Sequence, residues 1–100
     1  MQVFDIGNMS AHPHADRDKN VLHSSGRFKV RIIELPAGGR IPPCEMAANV
    51  IFYVITGEAE VTVNQEKKTV SAGQCLISEP ATVSMKSDDG VKIMGIQIEI

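Results

Sequence analysis

Short segments in which apolar and polar residues alternate recur along the whole chain, and no window longer than one turn carries apolar residues at helical spacing. The pattern predicts an all-β protein. From Arg27 to Ile32, Phe28, Val30 and Ile32 share one face while Arg27, Lys29 and Arg31 share the other, which reads as a half-buried strand with its charges in solvent. Pro36-Ala37-Gly38-Gly39 stops it. Pro42-Pro43 then imposes an extended entry into Cys44-Glu45-Met46, because proline fixes its own φ and restricts the residue before it.

The run Val50 to Ile55 is β-branched and aromatic throughout, as expected of a central strand covered on both faces and ended by Thr56-Gly57. Ala59, Val61 and Val63 alternate with Glu58, Glu60 and Thr62, Asn64-Gln65 supplies a tight turn, and Glu66 to Val70 returns as the second arm of a hairpin. Glu58, Glu60, Lys67 and Lys68 form its solvated face. Cys75-Leu76-Ile77 reads as a further buried strand, broken at Glu79-Pro80, and Ala81 to Met85 as the next, ending at Ser87-Asp88-Asp89-Gly90. In the last segment Val91 and Ile93 set one phase and Ile96, Ile98 and Ile100 the other, so a β-bulge is expected at Gly95. Residues 7–26 are polar and read as a loop or arm, with Met1 to Ile6 as a first strand tied to the sheet edge or exchanged with a neighbouring subunit.

Length and charge narrow the function classes. One hundred residues make one domain, divided here into an N-terminal strand and arm (1–26) and a barrel (27–100). A hydrophobic fraction of 43% suffices for a core, and a net charge of -2 with interspersed signs offers no basic stripe for nucleic acid or an anionic bilayer. The longest apolar run is too short to span a membrane, and the first residues lack the regions of a signal peptide, so a cytoplasmic location is expected. There Cys44 and Cys75 would remain thiols.

From Gly38 to Gly57, PAGGRIPPCEMAANVIFYVITGEAEV resembles the first cupin motif, G-x5-H-x-H-x3-4-E-x6-G, and from Gly73, GQCLISEPATVSMKSD resembles the second. The resemblance covers about half the chain and implies a single-domain cupin-type double-stranded β-helix, or jelly-roll barrel. Carried across by position, the family's metal ligands fall on Cys44, Met46, Val50 and Ser84, and Glu79 and Ala81 replace the proline and glycine of the second motif. An isopropyl group, a thioether and a hydroxyl do not substitute for imidazole and carboxylate donors. No metal is therefore expected at the usual positions, nor any other cofactor. In the alternative spacing the histidine positions become Pro43 and Glu45, with one good donor between them.

Other candidates lie outside the motif. His12, His14 and His23 would make a displaced three-histidine site if the arm folded over the barrel mouth, but a solvated loop is the plainer reading. Cys75 has no basic neighbour in sequence to activate it and reads as buried structural cysteine. Tyr53 is either a ligand contact or a buried tyrosine, and Glu79 ends a strand near the expected cavity mouth.

Three functions follow. The first is a metal-free barrel that binds a small apolar or amphipathic molecule in a cavity lined by Cys44, Met46, Val50, Phe52 and Ser84. The second is an isomerase, lyase or oxygenase using the displaced histidines or an acid–base pair such as Glu45 and Glu79. The third is a structural homodimer formed through the arm and an apolar sheet face.

Overall fold

A computed structural model describes residues 1–99. Eight strands follow in chain order: β1 (Val21–Ser24), β2 (Phe28–Leu35), β3 (Arg40–Met46), β4 (Asn49–Val63), β5 (Glu66–Ser71), β6 (Cys75–Ser78), β7 (Ala81–Lys86) and β8 (Val91–Ile98). They pair antiparallel in the order β1-β2-β8-β4-β7-β3, with β5 and β6 also on β4. The sheet curls into a jelly-roll barrel. The expected all-β class and hairpin are present: Val63 pairs with Glu66 across Asn64 and Gln65, both at positive φ, as a two-residue turn requires.

β4 organises the barrel. Its first part pairs with β6 and β8 and its second with β5 and β7, so one strand belongs to both walls. The expected stop at Thr56-Gly57 is instead a bend within this strand, where the register with β8 slips between Val54 and Thr56. Gly57 adopts φ 80°, and a Cβ there would collide with the Gly90 carbonyl oxygen. Only glycine combines that dihedral with so close a backbone approach.

Val50, Val54, Val61 and Ile93 are all but inaccessible and form the centre of a core that Ile33, Leu35, Phe52, Val83 and Met85 extend. The bulge is at Ile55, not at Gly95. Through Gly95 the register of β8 with β2 is unbroken from Phe28↔Ile98 to Leu35↔Val91. The apparent change of phase arises because Ile96 and Ile98 lie on the outer face, while the inner row runs Val91, Ile93, Gly95, Gln97. Ile100, the end of that apolar series, lies outside the described residues.

Two further strand readings change. The covered-on-both-faces picture fails for β4 and β6, whose outer faces leave Tyr53 38% and Ile77 74% exposed and expose Cys75 as well. β2 is inverted relative to expectation: Ile33 and Leu35 enter the core, so alternation turns Lys29 and Arg31 inward with them.

Met1 to Ile6 forms no strand, and the segment read as a loop or arm is held to the barrel by hydrogen bonds. Its first part crosses the outer face of β2 and β8, where Lys92 Nζ donates to the carbonyls of Ile6, Gly7 and Met9, and the Ala11 amide donates to Glu34 Oε1 at 2.9 Å. Two 3-10 segments, Ile6–Asn8 and His14–Asn20, lie within it. Buried Asn20 closes the loop by accepting from the His12 amide at 2.8 Å and donating to the His12 carbonyl at 3.0 Å. The chain then returns as β1 beside β2.

Gly57→Ala should cost about 3 kcal/mol, since strain at positive φ adds to a backbone collision that nothing can relieve locally. Urea unfolding of the two proteins measures it, and a loss below about 0.5 kcal/mol would contradict the account of the bend.

Candidate functional site

A cavity of about 590 Å³ opens at one end of the barrel between β2, β3, β8 and the His14–Asn20 segment. Its floor is apolar, with Phe52 from β4, Ile33 from β2 and Met85 from β7. Gly95 makes the space. It stands in the β-ladder between Arg31 on one side and Phe52 on the other, and a Cβ there would lie 3.5 Å from both the Phe52 ring and Ile33 Cδ1. Any longer side chain would occupy the volume above the ring.

The wall formed by β2 is cationic. Lys29 and Arg31 line the cavity, and Arg17 from the 3-10 segment joins them, with the carboxylates of Asp18 and Glu45 at the same mouth. Among the described residues the ion pair formed is Lys86–Glu60, at 3.8 Å on the surface, so none of the three cavity cations is neutralised by a salt bridge. Arg31 is the most confined. Its Nη2 donates to Gln97 Oε1 at 3.4 Å, and its buried Nε has no hydrogen-bond partner among the described residues. Burial and the nearby Arg17 charge lower its pKa, with Asp18 opposing them. The group nonetheless remains cationic, as arginine does throughout the physiological range.

The residues expected at the site are distributed unevenly. Phe52, Met46 and Cys44 line the cavity; Cys44 and Met46 face it because they pair with Val83 and Ala81, which pack inward, although Cys44 is exposed at the mouth. Ser84 also contributes to the lining, but it alternates with the buried Val83 and Met85 and pairs with Thr62. Val50 is not a cavity residue. It is sealed in the core at 0% exposure.

Glu45 reaches the mouth, whereas Glu79 lies at the exposed β6–β7 turn and does not line the cavity, so the two do not form an acid–base pair. The three histidines separate as well. His14 lines the cavity, His12 is exposed, and His23 stacks on Phe28 with ring centroids 4.8 Å apart. Among the described residues no three His, Cys, Asp or Glu side chains gather as a metal site would require. Lys29, Arg31, Arg17 and Gly95 are the site residues that sequence reasoning missed. The first two were legible as a charged face, but alternation does not say which face is inside.

A second, smaller cleft of about 400 Å³ lies between β5 and β6, where Lys68, Thr69, Cys75 and Ile77 meet. It holds no comparable group of cations.

This arrangement of strands is found in solved structures. The chain matches the TT1209 protein from Thermus thermophilus with a TM-score of 0.86 and 14% identity over 99% of this chain and 98% of that one. It matches a cupin superfamily protein, DSY2733, from Desulfitobacterium hafniense with a TM-score of 0.78 and 15% identity, over 96% and 88% of the two chains. An RmlC-like cupin from Shewanella frigidimarina gives 0.74 and 17% over 80% and 73%. The fold is that of the cupins. At these identities the likeness is one of fold, and neither a protein-family model nor a curated protein matches the sequence.

Cupin metal ligands would fall on Cys44, Met46, Val50 and Ser84, and the residues present do not fit the group. Val50 has no donor atom and is buried in hydrocarbon, Ser84 pairs away from the inner row, and the confined guanidinium of Arg31 repels a cation placed in the cavity.

His14 shares the cupin mouth with two guanidinium groups. Burial, then Arg17, then Arg31 hold its imidazole below the ordinary value of 6.5, so its charged form is disfavoured in the folded chain. The folded pKa is the lower one; its contribution to stability is complete above 6.5 and is lost as pH falls from there through the folded value. Compared with wild type, His14→Gln should show a shallower fall in urea midpoint just below that pH. Parallel profiles for the two proteins would refute the assignment.

Proposed function

We propose that this cupin barrel binds a small amphipathic molecule in the cavity above Phe52, without a metal, as a sensor, carrier or accessory domain. The observation that carries the reading is the volume left by Gly95. A strand residue with no side chain, placed between a buried aromatic ring and a cation, leaves a pocket with an apolar floor and a polar wall, and its size falls within the range of small-ligand sites. The enzyme alternative has weaker support, because neither the histidines nor Glu45 and Glu79 converge. A cytoplasmic setting belongs to the same proposal, supported by two exposed free thiols, Cys44 and Cys75. No helix is long and apolar enough to cross a membrane among the described residues.

Gly95→Leu tests the site directly. Ligand-observed NMR with a panel of small aromatic and aliphatic compounds should detect binders to the wild-type protein that are lost in the variant, while the variant stays folded. Retained binding would place the ligand elsewhere, and a stoichiometric transition metal in untagged protein would overturn the metal-free reading.

A homodimer is a second proposal, favoured by a specific surface. Phe28 and Ile98 are paired across β2 and β8, stay 40% and 38% exposed, and adjoin β1, which ends the strand order with one edge unpaired. The N-terminal arm is already engaged on its own barrel, which leaves this patch as the surface to be shared. Phe28→Glu should convert a dimer into a monomer in light scattering; a wild-type monomer would eliminate the proposal.

A further inference from the structure

The cavity wall asks for a particular kind of ligand. β2 places Arg31 in a confined setting with one long hydrogen bond, to Gln97, and a buried Nε–H that donates to nothing among the described residues. Leaving such a donor unpaired is costly, and more so for a charged group. Arg17 and Lys29 reinforce the positive field, while Asp18 and Glu45 offset part of it, so three cations face two carboxylates and one net positive charge remains. That balance suits a singly charged anion better than a dianion such as a phosphate monoester. A guanidinium edge matches the two oxygens of a carboxylate.

The floor restricts the rest of the molecule. Gly95 separates Arg31 from Phe52 along the ladder, so a group bound at the guanidinium continues over bare backbone onto the aromatic ring. Ile33 and Met85 extend that apolar surface.

We infer that Arg31 anchors the carboxylate of an aryl or alkyl carboxylic acid whose apolar body lies over Gly95 against Phe52. This rests on the reading that the cavity binds small molecules, and it names the ligand class. Arg31 thereby binds and orients the anion; it performs no chemistry. Its Nε–H is unpaired and out of solvent, so replacing Arg31 should raise stability while abolishing recognition.

Calorimetric titrations with a graded series of aryl and alkyl carboxylates, each paired with its own primary amide, test this on wild type, Arg31→Met and Arg31→Gln. The expected result is that carboxylates bind wild type about tenfold to a hundredfold more tightly than their amides, the range of one charge-assisted hydrogen bond. The preference should vanish in both variants, and the urea midpoint of Arg31→Met should equal or exceed that of wild type. Equal binding of acids and amides to wild type overturns the carboxylate assignment and leaves small-molecule binding standing. Unchanged acid affinity in the variants overturns the role of Arg31. Binding of neither series overturns both readings, and if Arg31→Met does not fold, the wild-type preference and Arg31→Gln decide.

Discussion

The unbroken pairing of β2 with β8 is the constraint from which the site follows. Side chains alternate along a strand with a period of two, so a register fixed at one end fixes every residue to the other. Ile33 and Leu35 are held in the core against Ile93 and Val91, and two and four residues further back from Ile33 the same face presents Arg31 and Lys29. A slip of one position would bring Phe28, Val30 and Ile32 inside and expel Ile33 and Leu35. The charged wall is therefore a consequence of where the core locks the strand.

The opposite face of the same pairing explains the arm. With the inner row assigned, Ile32, Glu34 and Lys92 lie outside, yet Ile32 is 2% and Lys92 9% exposed. The N-terminal segment lies on this face, satisfying Lys92 with backbone carbonyls and Glu34 with the Ala11 amide. Its continuation then reaches the cavity mouth and delivers His14, Arg17 and Asp18 there. One strand register thus determines both the cation row and the path that brings additional charge to it.

The cupin fold is a host for many chemistries, and the fold alone assigns none of them. In this barrel the cavity lining includes a thiol, a thioether and a hydroxyl, from Cys44, Met46 and Ser84, while an arginine and a glycine on neighbouring strands form the polar and empty halves of the cavity. A guanidinium attracts negative charge, which is physically opposed to holding a metal cation.

The sequence by itself determined the all-β class, the hairpin at Asn64-Gln65, the order of the strands from Phe28 onward and the residue types at Cys44, Met46, Val50 and Ser84, the positions that the motif resemblance assigns to metal ligands. These are local properties: alternation, turn chemistry and side-chain identity at a motif position are all readable within a few residues. The tertiary structure decided which face of β2 is inside, that β4 runs through Gly57 instead of ending there, that Gly95 leaves a cavity instead of a bulge, and that Val50 is core. It also decided that residues 7–20 are anchored and that His12, His14 and His23 part company. Each of these depends on a partner distant in the chain. Alternation gives two faces of equal pattern, and only packing against Val91, Ile93 and Phe52 breaks the tie between them.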